Sequence, residues 1–233
     1  MPKLPDKNKN YQTLKKFCQK SGADFFGVAD IRPVKETIVL SKKLISSLDY
    51  AISLGVKLSR GVLEDVEDKP TRLYFHHYRT VNVCLDQLAL GVARFIEDKG
   101  FRAVPIAASQ ILDWQKQSAH LSHKRLAILS GLGWLGRNNL LVTAKAGSQL
   151  RLVTILTDMP FKLDKEQSFG CGDCRLCINA CPAEAIKDAP ENFDHQACFL
   201  KLKEFQREKL VDQYICGVCV QVCKGKPNIR AQA

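Results

Sequence analysis

CGDCRLCINACP, residues 171–182, is the stretch on which the fold turns. Its cysteines are Cys171, Cys174, Cys177 and Cys181, and Pro182 follows the last, giving C-x2-C-x2-C-x3-C-P. Three thiolates spaced two residues apart can wrap three corners of an iron–sulfur cubane. In two-cluster ferredoxins the fourth cysteine of such a run ligates the other cluster. The alternative is zinc, which four-cysteine structural sites hold with two C-x2-C pairs. A run that crowds three ligands onto one short loop suits tetrahedral zinc poorly, and the spacing points to [4Fe–4S] chemistry.

A second set lies downstream: Cys198 alone, then Cys216-Gly-Val-Cys219-Val-Gln-Val-Cys223. It is degenerate. The tight run lacks a third cysteine, and Cys198 is available upstream to take that place. Lys224 stands where a proline normally follows, with Pro227 further on. Eight cysteines supply four ligands to each of two clusters. Cross-over pairing assigns Cys171, Cys174, Cys177 and Cys223 to one cluster. It assigns Cys181, Cys198, Cys216 and Cys219 to the other.

The rest of the composition fits this chemistry. Ten cysteines occur in 233 residues, eight of them after residue 170. The N-terminus, MPKLPDKNKN, has no apolar signal region, and no run of 18 apolar residues suggests a membrane span. A soluble, cytoplasmic protein is expected, with no membrane partner. Dense cysteines there are metal ligands rather than disulfides. Cys18 and Cys84 fall in apolar helical patterns and are expected to be small buried hydrophobes. The net charge of +11 favours an acidic partner: RNA, an anionic cofactor, or an electron donor such as a ferredoxin or flavodoxin. A solvated basic surface accounts for it equally simply.

Upstream of the cysteines, helices and strands alternate to about residue 160. Helices are expected at 10–20, 81–98 and 120–129, the second capped by Gly100. Strands are expected at 25–29, 50–56, 104–107, 140–143 and 150–157. The last two are joined through Ala146-Gly147-Ser148 as a hairpin, and 150–157 is apolar enough to be central in its sheet. The polar stretch 160–168 marks a boundary, dividing the chain into 1–165 and 166–233.

Gly131-Leu-Gly133-Trp134-Leu-Gly136 matches G-x-G-x-x-G, but a dinucleotide site needs a strand before it and a helix after it. Here the order is reversed. What remains is either a tight turn, with Trp134 exposed, that lets main-chain amides approach a planar or phosphate-bearing ligand, or a plain helix-to-strand turn. His120 and His123 stand three apart, a weak metal signal. Tyr78, within a polar group of His76, His77 and Arg79 just before the long helix, is a candidate proton donor. His195 follows Asp194, an expected helix N-cap.

These features together resemble the epoxyqueuosine reductase group and its relatives, the corrinoid reductive dehalogenases. The resemblance is carried by GLGWLGRNNLLV at 131–142, AGS at 146–148, TD at 157–158, the cysteine run, the lone cysteine and the C-x2-C-x3-C ending; DFFGVAD at 24–30 also fits. It implies an α+β fold: a nitroreductase-like sheet domain followed by a ferredoxin-like double [4Fe–4S] module. It implies cobalamin, bound base-off and lined by Gly131, Gly133, Trp134, Gly136, Arg137 and Asn138, with electrons reaching cobalt through both clusters. Two departures matter. Where the queuosine enzymes carry a proton-donating aspartate, Ile106-Ala107-Ala108-Ser109-Gln110 places Ala107, and an alanine cannot donate a proton; Asp113 is the nearest substitute. The chain also stops ten residues after Cys223, short of the family's tRNA-gripping helical-repeat extension. The expectation is a paralogue: a corrinoid-dependent iron–sulfur reductase of unidentified substrate. The alternatives are an electron-transfer protein that docks a partner, and a tRNA epoxyqueuosine reductase using a separate RNA-binding partner.

The cysteine count generates the first prediction. Anaerobic protein should contain about eight iron and about eight acid-labile sulfides per chain. One or two zinc ions without sulfide would overturn the cluster reading.

Overall fold

Asp6 opens the first helix. Its carboxylate accepts from the N–H groups of Asn8 and Lys9 at 3.0 and 2.9 Å, satisfying donors that the first helical turn leaves without partners. The structure, a computed structural model, describes residues 6–113, 117–168 and 170–225. In chain order the elements are α1 (Lys7–Lys20), β1 (Phe25–Asp30), α2 (Lys42–Ile45), β2 (Tyr50–Lys57), α3 (Arg60–Glu64), α4 (Arg72–Glu97), β3 (Ala103–Ile106) and α5 (His123–Leu129). They continue with β4 (Trp134–Leu135), β5 (Leu141–Val142), β6 (Leu150–Thr157), α6 (Leu176–Ala180), α7 (His195–Arg207) and α8 (Val218–Val222). Among the described residues no helix is long and apolar enough to cross a membrane.

The chain divides into two compact units. One gathers Met1–Val56, Asn82–Leu132 and Arg151–Gln167; the other gathers Lys57–Val81, Gly133–Leu150 and Ser168–Ala233. The last break falls two residues from the boundary read at 165, but the division is not a single cut. Residues 57–81 and 133–150 pack with the cysteine segment, for reasons of hydrogen bonding described below.

The first unit is built on a four-stranded sheet in the order β1-β2-β6-β3. β1 pairs antiparallel with β2, Phe25 facing Gly55 and Asp30 facing Tyr50; β3 pairs antiparallel with β6, Ala103 facing Thr157. β6 is interior, as its nearly continuous apolar run implies, and its last five residues are all buried. Pro105, which cannot donate to a ladder, sits on the edge strand β3, where sheets tolerate it. Ile31, Leu48, Ala51, Ile106, Leu126 and Leu156 form part of one buried cluster of this unit.

Three expectations are corrected. The long helix starts at Arg72, not near Val81, so His76 to Arg79 lie inside it. Thr71 is the overlooked start signal: its hydroxyl accepts from Tyr74 N–H at 3.1 Å. The strand at 141–142 does not form a hairpin with 150–157. β5 pairs with β4, Trp134 facing Val142, and β6 joins the larger sheet. Cys18 is fully buried, but Cys84 is exposed on α4.

Central burial of β6 sets the second prediction. Leu156→Ala, at a fully buried position, should lower stability by roughly 2–5 kcal/mol in denaturant unfolding. Leu90→Ala, on the exposed side of α4, should stay within about 0.5 kcal/mol of the parent.

Candidate functional site

In the second unit Cys171, Cys174 and Cys177 lie along a loop that runs into α6, and Cys223 closes α8. All four line one cavity of about 320 Å³, together with Trp134, Arg137 and Asn138. The thiols act on one another electrically. Cys177 is pushed up to about 11, mainly by burial and then by Cys223, Cys171 and Cys174. The second set is coupled in the same way. Burial pushes Cys198 up to about 11, with Cys181 and Asp194 adding to it. Burial likewise takes Cys216 to about 12, with Cys198 and Cys181 raising it further. Cys219 is raised by burial, then by Cys216, Cys198, Cys181 and, most weakly, Cys177. Cys171, Cys174, Cys177 and Cys223 thus share one cavity, and Cys181, Cys198, Cys216 and Cys219 lie near enough to bear on one another. Among the described residues no three His, Cys, Asp or Glu side chains converge as closely as a single metal ion requires.

The donor set fits iron–sulfur clusters. Buried thiols that suppress one another's ionisation become thiolates only where cationic iron shares the charge. Soft sulfur donors in fours, carried on a C-x2-C-x2-C loop, match that requirement.

The six residues that the resemblance assigns to a corrinoid divide between the units. Gly131 lies in the first, turned at φ 70° against the Lys165 carbonyl. Gly133 to Asn138 lie in the second. Trp134 is buried rather than exposed. Gly133 is required by the β4–β5 pairing, because a Cβ there would collide with the Val142 carbonyl. Arg137 donates to the carbonyls of Gly172, Cys174 and Asp188. Asn138 is buried and donates to the Ser148 hydroxyl at 3.0 Å. The Arg137 and Asn138 side chains are engaged by the chain's own atoms, while both, with Trp134, also line the cavity.

The other polar candidates are separate. Tyr78, on α4 in the second unit, tilts against the Tyr74 ring at 6.4 Å. Asp113, in the first unit, is bridged through its backbone to Ser118. His120 Nδ1 lies 2.8 Å from the Val39 carbonyl, and His123 has different partners, so the two share no ligand. His195 follows the N-cap Asp194, as expected, and its Nε2 lies 3.3 Å from Asn139 Nδ2.

Two arrangements were not legible in the sequence. Tyr74 packs on Gly217 in the Cys216–Cys219 turn, at a left-handed φ of 90° where a Cβ would strike the ring. His123 sits between Thr154 Oγ1 and the Ala107 carbonyl, at 2.9 Å from each. A carbonyl only accepts, so Nε2 carries the proton and Nδ1 accepts from Thr154. Asp86 accepts from the next amide, Ala108, at 2.8 Å. The position that lacks the family's acid thus has its backbone held by a histidine and a carboxylate.

Comparison with known proteins places this geometry. Residues 170–226 match the family of 4Fe-4S double cluster binding domains. The chain resembles epoxyqueuosine reductases and reductive dehalogenases. It is 25% identical to the epoxyqueuosine reductase of Cyclobacterium marinum, over 92% of this chain and 78% of that protein. It superposes on a reductive dehalogenase studied for B12-dependent dehalogenation with a TM-score of 0.68 at 21% identity, covering 81% of this chain and 27% of the other. It superposes on an epoxyqueuosine reductase bound to an epoxyqueuosine-modified tRNA stem loop with a TM-score of 0.64 at 19% identity, covering 92% and 64%. The chain spans only 28–60% of several further curated epoxyqueuosine reductases. The mixed α/β fold is shared with structures of both groups, and the relatives are named reductases.

His123 gives the third prediction. Burial, foremost, holds its pKa down to about 4, against 6.5 ordinarily. Between those values the unfolded chain binds more protons than the folded one, so stability is lost as the pH falls from 6.5 toward 4. Urea midpoints should therefore drop across that window, and His123→Asn should flatten the slope.

Proposed function

We propose that this chain is an epoxyqueuosine reductase-like iron–sulfur reductase, passing single electrons through two [4Fe–4S] clusters toward a corrinoid and an unidentified substrate. The observation that carries it is the sorting of eight cysteines into two electrically coupled fours, the first around one cavity. Cys171, Cys174, Cys177 and Cys223 hold one cluster; Cys181, Cys198, Cys216 and Cys219 hold the other. When bound, each cluster supplies a one-electron carrier. Around it the chain's own residues exclude water and fix the ligand loops, two of the levers that set cluster potentials.

The relatives support the enzymatic reading, and the four-stranded sheet of the first unit is read as a nitroreductase-like domain on the resemblance alone. The B12-dependent neighbour supports cobalamin as acceptor. The engaged side chains of Arg137 and Asn138 favour a second reading, an electron-transfer protein that docks a partner and holds no corrinoid. The charge of +11 supports an acidic donor, a ferredoxin or flavodoxin. The relative's tRNA stem loop supports tRNA as a substrate only if another group delivers the proton. Ala107 cannot, and a placed general acid is typically worth about a hundred- to ten-thousand-fold in rate.

The fourth prediction tests the reading. Cys181→Ser should perturb the cluster of the second set and leave the first intact, as followed by EPR of the dithionite-reduced protein. Loss of the first-set cluster would reverse the pairing. Titration of the same protein with cobalamin at roughly tens of micromolar, well above a useful affinity, should give a base-off absorption change. An unchanged spectrum selects the electron-carrier reading.

A further inference from the structure

The glycine-rich segment makes its polar contacts with the cysteine segment. Arg137 divides its guanidinium among three main-chain carbonyls: Nη2 to Gly172 at 2.7 Å, Nη1 to Cys174 at 3.0 Å and Nε to Asp188 at 2.7 Å. Gly172 and Cys174 belong to the loop that carries three of the first four ligands. A few residues on, Ser148 N–H donates to the Cys223 carbonyl at 3.3 Å, and Gln149 Nε2 donates to the Gln221 carbonyl at 2.7 Å. Asn138 joins the two ends of this brace through its bond to Ser148. Arg137 also lines the cavity that all four cysteines share.

We infer that Arg137 is a positioning residue for the first cluster, clamping the Cys171–Cys177 loop into ligand geometry and favouring the cluster's reduced state by its fixed charge. The inference rests on the two-cluster reading above. Reduction adds one negative charge to the cluster, and a cation beside a partly desolvated cavity stabilises that charge more than bulk water would. Net local charge is among the determinants of cluster potential. The clamp needs a planar fork, which arginine supplies and lysine, a point charge with rotating donors, does not. The two roles therefore separate by substitution: Arg137→Lys keeps the charge and loses the fork, whereas Arg137→Gln loses both.

The experiment uses the full chain, reconstituted anaerobically with iron and sulfide. EPR-monitored redox titration follows both clusters, with signals assigned in a Cys198→Ala background that depletes the second set. Arg137→Gln should shift the first cluster's midpoint to more negative potential, by about a tenfold change in its one-electron equilibrium, ~59 mV, and leave the second cluster's midpoint in place. Arg137→Lys should hold the midpoint near the parent's but release first-set iron to a chelator several-fold faster. The second-set signal serves as the folding control. If Arg137→Gln fails to fold, Arg137→Lys decides through its chelation rate. Unchanged midpoints and chelation rates in folded variants would overturn the role of Arg137 alone. A parent chain that binds no iron or sulfide would overturn the two-cluster reading instead, and this inference with it.

Discussion

The thiols of Cys171, Cys174, Cys177 and Cys223 share one cavity, yet they come from two distant parts of this chain, three from the loop at 171–177 and one from the end of α8. The parts are carried by α6 and α8, helices of only five residues each that pack against one another. Bringing them together costs loop-closure entropy, and burial raises the cost of ionising Cys177. The β4–β5 turn opposes the first of these costs. It contributes the Arg137 guanidinium to one part, and the segment after β5 contributes the Ser148 amide and the Gln149 side-chain amide to the other. Iron opposes the second cost, so that ligand ionisation and folding are coupled.

What was legible in the sequence had a short-range cause. The cysteine spacing is set by the shape of a cubane. The nearly continuous apolar run of β6 reflects burial on both faces of an interior strand. What was not legible had a long-range cause. Gly133 reads as a ligand cradle until its pairing with Val142 is seen, because a two-residue strand is too short to show alternation. The start of α4 was hidden by His76 and His77, whose polarity suggested a loop, although Thr71 was available as a start signal. Cys84 falls within an apolar pattern, yet the neighbouring Val83 is also exposed, so the helix carries apolar residues on more than its buried side. The splits of the units at Lys57 and Gly133 have no compositional mark, since 133–150 meets the cysteine segment through the carbonyls that Arg137 and Ser148 reach and 57–81 meets it where Tyr74 packs on Gly217.

Similarity to both a dehalogenase and a tRNA-modifying enzyme constrains the fold more than the chemistry. The same scaffold serves unrelated leaving groups, and function has to be argued from the site. The informative position here is Ala107. Its side chain offers no proton, while its carbonyl and the neighbouring Ala108 amide are held by His123 and Asp86. His123 stays neutral through the physiological range, so it stiffens this segment rather than supplying an acid.

Gly147 lies in the left-handed region at φ 57°, with the Cys223 carbonyl packed where a Cβ would stand. Any side chain at this position both strains the turn and pushes a ligand segment outward. In a genetic screen, a substitution at Gly147 would thus have the phenotype of a lost cysteine, although it lies far from every cysteine in the sequence and touches no sulfur.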